Sequence, residues 1–340
     1  MTEERQRSPD DAAVTERPKR VFMLGATGAI GGATTAALIE RGHEVVCFLR
    51  SAPRAPGRAP TLPEQAEVRF GDVSDPASLA HDGLRGEPFD ALVSCMASRT
   101  GAPADAWAID YRAHVNALEA AKAAGVGQMV LLSAICVQKP RLAFQHAKLA
   151  FEAELVSSGL TWSIVRPTAY FKSLSGQVDR VRAGKPYLVF GDGTLTACKP
   201  ISDRDLATYL VDCLDDPSRH DRILPVGGPG PAQTPREQGE ALFALLGQAP
   251  RFRSVPPAML DVIAGLLAVA GACIPRLAAK AELARIGRYY ATESMLVLNP
   301  ATGVYDADGT PEFGEDTLAD FHARLIRGEV SIHRGDQAVF

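Results

Sequence analysis

The sequence lacks the marks of several large classes of protein. None of its six cysteines is paired with another at a C-x-x-C spacing, which argues against zinc and dithiol redox sites and predicts buried, reduced thiols. No resident metal is therefore predicted. Neither sign of charge is in excess, since 36 basic and 40 acidic side chains leave a formal net charge of -4. This balance argues against broad binding to nucleic acid.

The first twenty residues lack an apolar segment. Five of them are acidic, namely Glu3, Glu4, Asp10, Asp11 and Glu16. Such a stretch fits neither a secretion signal nor a transit peptide, which is poor in acidic residues. We expect residues 1–19 to form a disordered polar tail and the protein to be cytoplasmic.

What the sequence has is a regular alternation of short apolar runs with helical segments. The predicted strands are 21–24, 44–50, 68–70, 91–95, 129–133 and 162–166, and the predicted helices include 28–41, 110–124 and 148–157. This order predicts an α/β fold with a doubly wound parallel Rossmann sheet. From about residue 166 the alternation becomes irregular, which predicts a smaller C-terminal region beside the sheet.

One stretch, Met259 to Pro275, is nearly all apolar apart from Asp261. It is shorter than the roughly 20 residues that a membrane-spanning helix needs. We predict a buried helix, or one wall of a pocket for a large apolar ligand, with peripheral membrane contact as the alternative.

A glycine-rich turn follows the first predicted strand and opens the first helix. Gly25, Thr27, Gly28, Ala29, Ile30 and Gly31 belong to a G-x-x-G-x-x-G sequence. Glycine allows the tight turn and the close approach of a pyrophosphate, which the helix N-terminus then faces. The strand–turn–helix context favours a dinucleotide site over a purely structural turn.

The choice of cofactor is predicted at the end of the second strand. An acidic residue there would bind the ribose 2′-hydroxyl of NAD, but the strand ends in Arg50. A guanidinium suits the 2′-phosphate, so we predict NADPH, with Arg54 and Arg58 as further positive charges. The alternative for Arg50 is a solvated surface arginine. By fold analogy, Asp72 lies where such proteins hold the adenine. Residues 20–165 are accordingly assigned as the NADP-binding Rossmann domain.

This organisation resembles the short-chain dehydrogenase/reductase superfamily, in its extended or atypical branch. In that superfamily a serine ends the fifth strand and a Y-x-x-x-K pair follows on the next helix. Ser133 and Lys148 occupy these places here, whereas Phe144 stands where the tyrosine would be. Phenylalanine has no proton to donate, so either the protein is not catalytic or its reaction does not need the phenol. Ser133 with a purely structural hydrogen bond, and Lys148 as an exposed helix lysine, are the alternatives.

Longer segments resemble one family specifically. They are FQHAKLAFEAEL from Phe144, VRPTAYFKSLSGQV from Val165, FGDGTLTACKPISDRDLA from Phe190, LPVGGPGPAQTPREQGE from Leu224 and IGRYYATESMLVLNPATGVYDADGTPEFGEDTLADF from Ile286. Together with the glycine turn they are similar to the divinyl chlorophyllide a 8-vinyl reductase family over nearly everything after the polar tail. That family also has phenylalanine at the position of Phe144.

The resemblance implies NADPH-dependent reduction of the C8 vinyl group of a magnesium-containing divinyl chlorophyllide to ethyl, in chlorophyll or bacteriochlorophyll biosynthesis. It implies that Lys148 binds the nicotinamide ribose and that Ser133 also contacts the cofactor. Tyr170 is our first candidate for the proton donor and His146 the second, with magnesium ligation as another role for His146. The predicted substrate contacts are Phe144, Phe171 and Tyr290, and Arg166, Arg204 and Arg288 are candidates for the substrate carboxylate. Residues 166–340 then form the substrate-binding region that completes the sheet and the cleft, and transient contact with the photosynthetic membrane is implied.

Two alternatives stay open. An NmrA-like redox sensor would bind NADP without turnover, and an isoflavone-reductase-like enzyme would act on another substrate. A sensor binds the cofactor without oxidising it, whereas either reductase consumes NADPH.

Overall fold

A computed structural model describes residues 17–50, 62–271 and 274–331. Its centre is a seven-stranded parallel sheet with the strand order β3-β2-β1-β4-β5-β6-β8. The strands of this sheet are β1 (Arg20–Leu24), β2 (Glu44–Arg50), β3 (Glu67–Gly71), β4 (Ala91–Ser94), β5 (Gln128–Leu132), β6 (Thr161–Pro167) and β8 (Arg222–Val226). The predicted doubly wound α/β fold is confirmed.

Helices and two small two-stranded sheets surround the main sheet. The helices are α1 (Ala29–Glu40), α2 (Pro76–Ser78), α3 (Pro103–Ala106), α4 (His114–Ala123), α5 (Ala143–Val156), α6 (Phe171–Leu174), α7 (Val178–Arg182), α8 (Asp203–Asp215), α9 (Pro235–Leu245), α10 (Ala258–Gly271), α11 (Pro275–Tyr290) and α12 (Leu318–Arg327). Leu79–Leu84 and Trp107–Ala113 are π-helical, and Ile135–Gln138 and Pro217–Arg219 are 3-10 turns. Strand β7 (Tyr187–Phe190) pairs with β9 (Phe252–Val255), and β10 (Val297–Leu298) pairs with β11 (Tyr305–Asp306).

The core lies on both faces of the main sheet, because its central strands are apolar on both sides. On one face, side chains of β1, β2 and β4 pack against α1 and α8 through residues such as Leu38 and Leu210. On the other face, they pack against α4 and α5 through Leu118, Phe151 and Leu155. The two layers of helices hold the strand ends in fixed positions, and the loops at the carboxyl ends therefore start from a rigid base.

All six predicted strands are present, and two of the predicted helices have different bounds. The segment predicted as one helix over 110–124 is π-helical until Ala113 and α-helical from His114. The helix predicted from Lys148 begins at Ala143. It begins earlier because the Gln145 side chain accepts the backbone N–H groups of Arg141 and Leu142, at 2.7 and 3.0 Å. Such a contact satisfies donors at a helix N-terminus.

The apolar stretch from Met259 is helical, but the prediction that this helix is buried is wrong. Of the residues of α10, only Ala264 is buried, and several large apolar side chains are exposed. The helix packs on α11. Across 17–50, 62–271 and 274–331, no helix is long and apolar enough to cross a bilayer.

The strand order reverses between β1 and β4, which are neighbours at the centre of the sheet. In open parallel sheets the crevice for a ligand opens at such a reversal, beyond the carboxyl ends of the strands. The glycine turn, Ser133, Lys148 and Tyr170 all belong to segments that follow these strand ends or pack beside them.

Candidate active site

The glycine turn is folded tightly against the end of β4. Gly25 has a φ of 81°, and a Cβ on it would lie 2.6 Å from the backbone of Cys95 and Met96. A Cβ on Gly31 would lie 2.1 Å from the carbonyl oxygen of Gly25. These two positions accept only glycine for reasons of the protein's own packing.

Gly28 differs from its two neighbours in the turn. It is the N-cap of α1, it is exposed with Thr27 and Ala29, and no side chain caps the helix. The first backbone N–H groups of α1 therefore point into the crevice with no side-chain acceptor, as a pyrophosphate requires. A Cβ on Gly28 would contact only the carbonyl oxygen of Gly25, at 3.5 Å. The turn is thus a cradle that a side chain at Gly28 would fill, which fits a dinucleotide.

Substituting Gly28 and Gly31 separates binding from folding. We expect Gly28→Ala to fold normally and to weaken NADPH binding by about 10-fold or more, because its methyl group occupies space that the pyrophosphate needs. Gly31→Ala is expected to lose about 1–3 kcal/mol of unfolding free energy through overpacking. Thermal melting and NADPH titration measure the two effects. Gly127→Ala is the matched control, since nothing lies within 4 Å of its Cβ position; normal NADPH affinity in Gly28→Ala would contradict the assignment.

The predicted adenosine contacts lie at the ends of the next two strands. Arg50 is exposed at the end of β2, and Asp72 is exposed directly after β3. One Asp72 carboxylate oxygen accepts the N–H of Ser74 at 2.8 Å, which fixes its orientation. The other positive charges predicted here, Arg54 and Arg58, lie outside the described residues. The 2′-phosphate and adenine roles of Arg50 and Asp72 stay predictions.

Lys148 is buried against a carboxylate that the sequence did not single out. Its Nζ lies 3.1 Å from Oδ1 of Asp110, with the lysine side chain 11% exposed and the aspartate side chain fully buried. Asp110 Oδ1 also accepts the backbone N–H of Ser98 at 3.2 Å, whereas Oδ2 has no hydrogen-bond partner among the described residues. Lys148 is therefore a positioned cation and not an exposed helix lysine.

His114 lies one turn after Asp110 and stays neutral. Burial, together with the positive charge of Lys148, lowers the pKa of His114 to about 4. Its Nδ1 lies 2.9 Å from the Ile109 carbonyl oxygen and its Nε2 2.9 Å from Ser94 Oγ. Because a carbonyl only accepts, Nδ1 carries the proton and Ser94 donates to Nε2. This histidine ties the π-helical segment that carries Asp110 to the end of β4.

Ser133 contacts a second buried carboxylate. It is buried, and its hydroxyl donates to Glu152 Oε1 at 2.5 Å. The guanidinium of Arg166 pairs with the same carboxylate through both Nε and Nη2. The three side chains join β5, α5 and β6 in one network, which agrees with a structural hydrogen bond for Ser133. Its contact with the cofactor stays a prediction.

The three arginines considered for the substrate carboxylate all have acidic partners in the protein. Arg166 pairs with Glu152, Arg204 with Asp316 and Arg288 with Asp261. A substrate carboxylate would compete with these ion pairs at each position.

Tyr170 follows β6 at the carboxyl edge of the sheet. The residue is half-buried, and among the described residues none is hydrogen bonded to its hydroxyl. Burial raises the pKa of Tyr170 well above its usual value, and Cys95, Cys136 and Asp203 raise it further. The phenol is therefore protonated at neutral pH and is a weaker acid than a solvent-exposed tyrosine. Phe171 is buried and its ring packs on Phe321 of α12. Little of the ring is therefore exposed for the predicted contact with substrate.

Phe144 packs in an apolar cluster, and the Tyr290 hydroxyl reaches Cys136 of the same cluster. Phe144 belongs to a cluster that contains Ile286 of α11, and both side chains contact the position of Gly101. The Tyr290 hydroxyl lies 3.7 Å from Cys136 Sγ, and the residue is 39% exposed. Burial of the hydroxyl raises the pKa of Tyr290 well above its usual value, with Tyr170 contributing in the same direction. The structure thus brings Phe144, Tyr290 and Tyr170 to one region, although their substrate contacts stay predictions.

His146 is exposed on α5, two residues before Lys148. Residues two apart on a helix point to different faces. The structure therefore does not bring His146 together with Lys148, and its role as a donor or magnesium ligand stays a prediction.

Three acidic residues of this region were missed from the sequence, namely Asp110, Glu152 and Asp203. Asp203 opens α8, and burial raises the pKa of its carboxyl while Lys172 lowers it in part. Asp110 and Lys148 are 38 positions apart in the chain. No local spacing could have paired them, because the partners meet only when the helices pack.

Comparison with known proteins places the chain among dinucleotide-binding proteins. A model of the NAD(P)H-binding family matches residues 25–217, which is more than half of the chain. An NADPH-dependent quinone oxidoreductase of Escherichia coli, solved with NADPH, has a TM-score of 0.65 at 19% identity, covering 90% of this chain and 99% of that chain. At this identity the likeness shows the fold. The predicted nicotinamide cofactor is confirmed by the family.

Two relatives match nearly the whole chain. A Zea mays protein named "Divinyl chlorophyllide a 8-vinyl-reductase, chloroplastic" is 48% identical over 333 residues, which are 94% of this chain and 82% of the maize protein. The Arabidopsis thaliana protein of the same name is 47% identical over 336 residues, which are 95% of this chain and 79% of that protein.

Proposed function

Since this chain belongs to the NAD(P)H-binding family and, within it, to the family of divinyl chlorophyllide a 8-vinyl-reductases, we propose that it reduces the C8 vinyl group of a divinyl chlorophyllide to ethyl with NADPH. The observation that carries the proposal is the pair of Lys148 and Asp110 beside an apolar cluster. The cation is held in place, while Phe144 supplies a ring and no acid where related oxidoreductases have a phenol. A site of this kind suits a carbon–carbon double bond better than a ketone or an alcohol.

The cofactor would be held by the protein at three places. The N-terminus of α1 receives the pyrophosphate, Arg50 the 2′-phosphate and Lys148 the ribose next to the nicotinamide. When bound, NADPH supplies the hydride. Negative charge left by hydride addition is spread over the conjugated macrocycle, so the protein does not have to stabilise it strongly. The chain's own task is to align the vinyl group and to provide one proton.

Tyr170 is the residue that provides this proton. Its hydroxyl has no partner in the described part of the chain, so its proton is available to the strongly basic carbon that hydride addition leaves. One vinyl carbon receives the hydride and the other receives the phenolic proton. Water then returns a proton to Tyr170.

The substrate is a magnesium-containing tetrapyrrole. The apolar cluster of Phe144 and Ile286, with Tyr290 beside Cys136 of the same cluster, supports a flat apolar ligand. We place the enzyme in the cytoplasm with transient contact with the photosynthetic membrane. The exposed apolar side chains of α10 support such contact.

The test is incubation with divinyl chlorophyllide a and NADPH in the dark, followed by chromatography of the pigments. We expect a monovinyl product that requires NADPH and is not formed at a comparable rate with NADH. Tyr170→Phe is expected to lower turnover about 100-fold or more, as for loss of a general acid. Tyr111→Phe, which removes an exposed hydroxyl bonded to Glu154, is the matched control.

Two results would count against the proposal. Tight NADPH binding with no product from the folded protein would favour an NmrA-like sensor, and oxidation of NADPH only with other substrates would favour an isoflavone-reductase-like enzyme. Unchanged turnover in Tyr170→Phe would remove Tyr170 as the donor while leaving the reaction in place.

A further inference from the structure

Helix α10 is apolar on both of its faces. One face packs towards α11 and contains half-buried or buried residues, namely Leu260, Ala264, Leu267, Ala268 and Gly271. The opposite face contains Met259, Val262, Ile263, Leu266 and Val269, all of them exposed. A helix that is apolar all round is normally covered on all sides, in a protein core or in lipid.

The exposed face is a continuous stripe. Val262, Leu266 and Val269 are spaced as i, i+4 and i+7, so they lie above one another on the helix surface. They are 61%, 69% and 78% exposed. Exposure of this size means that no described part of the chain covers the stripe. Ile274, the residue before α11, is also exposed.

The sequence of the helix pair that carries the stripe has an excess of basic residues, which favours a surface that is itself negative. Residues 258–290 contain four basic side chains, Arg276, Lys280, Arg285 and Arg288, and two acidic ones, Asp261 and Glu282. This segment therefore carries a net charge of +2 within a chain whose net charge is -4. Asp261, the one acidic residue of α10, is paired with Arg288 at 2.9 Å, and Glu282 is paired with Arg285 at 3.0 Å.

The dimensions of α10 suit a helix that lies in a membrane interface. Its 14 residues give a length of about 21 Å, too short to span a hydrocarbon core of about 30 Å. An apolar face with basic neighbours is the combination by which helices bind in the plane of an anionic bilayer surface. The stripe faces outward along the whole helix, as this orientation requires.

Helix α11 connects this surface with the candidate active site. Its N-terminal part follows α10, whereas Ile286 near its C-terminus belongs to the apolar cluster that contains Phe144, and the Tyr290 hydroxyl lies 3.7 Å from Cys136 Sγ of that cluster. Helix α11 thus links the exposed stripe of α10 with the apolar cluster that contains Phe144.

We propose that the pair α10–α11 docks on an anionic lipid bilayer, with the stripe of Met259, Val262, Ile263, Leu266 and Val269 inserted at the interface. This inference rests on the membrane contact proposed above and adds the surface, the orientation and the lipid charge. The pair then acts as the path by which an apolar pigment passes between lipid and site.

The test is flotation of the full-length protein with vesicles of pure phosphatidylcholine or of phosphatidylcholine with phosphatidylglycerol. We expect binding to the anionic vesicles, weaker binding to the neutral ones, and partial release by salt. Leu266→Asp is expected to reduce binding at least about 10-fold, since a charge at the centre of the stripe opposes insertion. Val304→Asp is the matched control, because Val304 is equally exposed, at 63%, and lies outside the α10–α11 pair.

Turnover with detergent-dispersed substrate separates this proposal from the proposed reaction. We expect Leu266→Asp to reduce divinyl chlorophyllide as the unaltered protein does. Absence of vesicle binding by the unaltered protein, or equal binding by Leu266→Asp, would overturn the docking surface without touching the reaction. A dimer in size-exclusion chromatography that Leu266→Asp dissociates would identify a second copy as the occupant and would also overturn it.

Discussion

Lys148→Ala is expected to lower kcat/KM for the vinyl reduction by about 100-fold or more, because the cation that we propose to hold the nicotinamide ribose is lost and the reacting atoms are then misaligned. The same change leaves Asp110 buried without its partner. Breaking a buried ion pair in this way costs about 3–5 kcal/mol of unfolding free energy. Steady-state kinetics and urea unfolding measure the two losses separately.

A double variant distinguishes the catalytic loss from the loss of stability. In Lys148→Met/Asp110→Asn no buried charge remains at the pair, so we expect stability to return towards that of the unaltered protein. Activity should not return. Recovery of turnover in this double variant, or normal kcat/KM in Lys148→Ala, would refute a role for the lysine in the reaction.

In the proposed reaction Asp110, 3.1 Å from Lys148 Nζ, acts through the lysine as a positioning residue. Asp110→Asn keeps the size of the side chain and can still accept a hydrogen bond from Nζ. We therefore expect a rise in KM for NADPH and a smaller fall in kcat than in Lys148→Ala.

The second large effect is a loss of stability as the pH falls from about 6.5 to about 4. Burial lowers the pKa of both His114 and His322 to about 4 in the folded protein. An unfolded chain has histidine pKa values near 6.5, so within this window it binds protons that the folded protein does not. The stabilisation is complete above pH 6.5 and is lost as the pH falls towards 4. Each histidine contributes about 3 kcal/mol over the window.

Urea unfolding at pH 7.5, 6.5, 5.5 and 4.5 measures this dependence. His322→Gln is expected to flatten the curve, since glutamine still bonds Ser175, which lies 3.0 Å from His322 Nε2, and does not titrate. His81→Gln, at an exposed position, is the matched control. Equal slopes for His322→Gln and the unaltered protein between pH 6.5 and 4.5 would contradict a buried neutral His322.

Local sequence patterns account for much of the fold. The apolar runs of β1, β2, β4 and β5 are buried on both faces in the sheet, and such runs are recognisable without a partner. The glycine turn was equally visible, because its geometry depends on a few neighbouring residues and on the strand before it.

The bounds of α5 show where local patterns become insufficient. Propensity placed its start at Lys148, whereas a hydrogen bond from Gln145 Nε2 to the Cys136 carbonyl, 3.2 Å long, holds the start at Ala143 against the preceding turn. This contact belongs to the fold and not to the helix itself. Helix ends are decided by such contacts, so sequence patterns locate them less well than helix centres.

The sequence by itself determined the main strands and their alternation with helices, the dinucleotide turn, the phenylalanine at position 144 in place of a tyrosine, and the family. Only the tertiary structure decided that Lys148 is paired with Asp110, that the Ser133 hydroxyl donates to Glu152, and that one apolar face of α10 is exposed. The physical reason is the same in each case. A residue's type and its near neighbours set what it can do, but its charge partner and its burial are set by residues that are distant in the chain and adjacent only after packing.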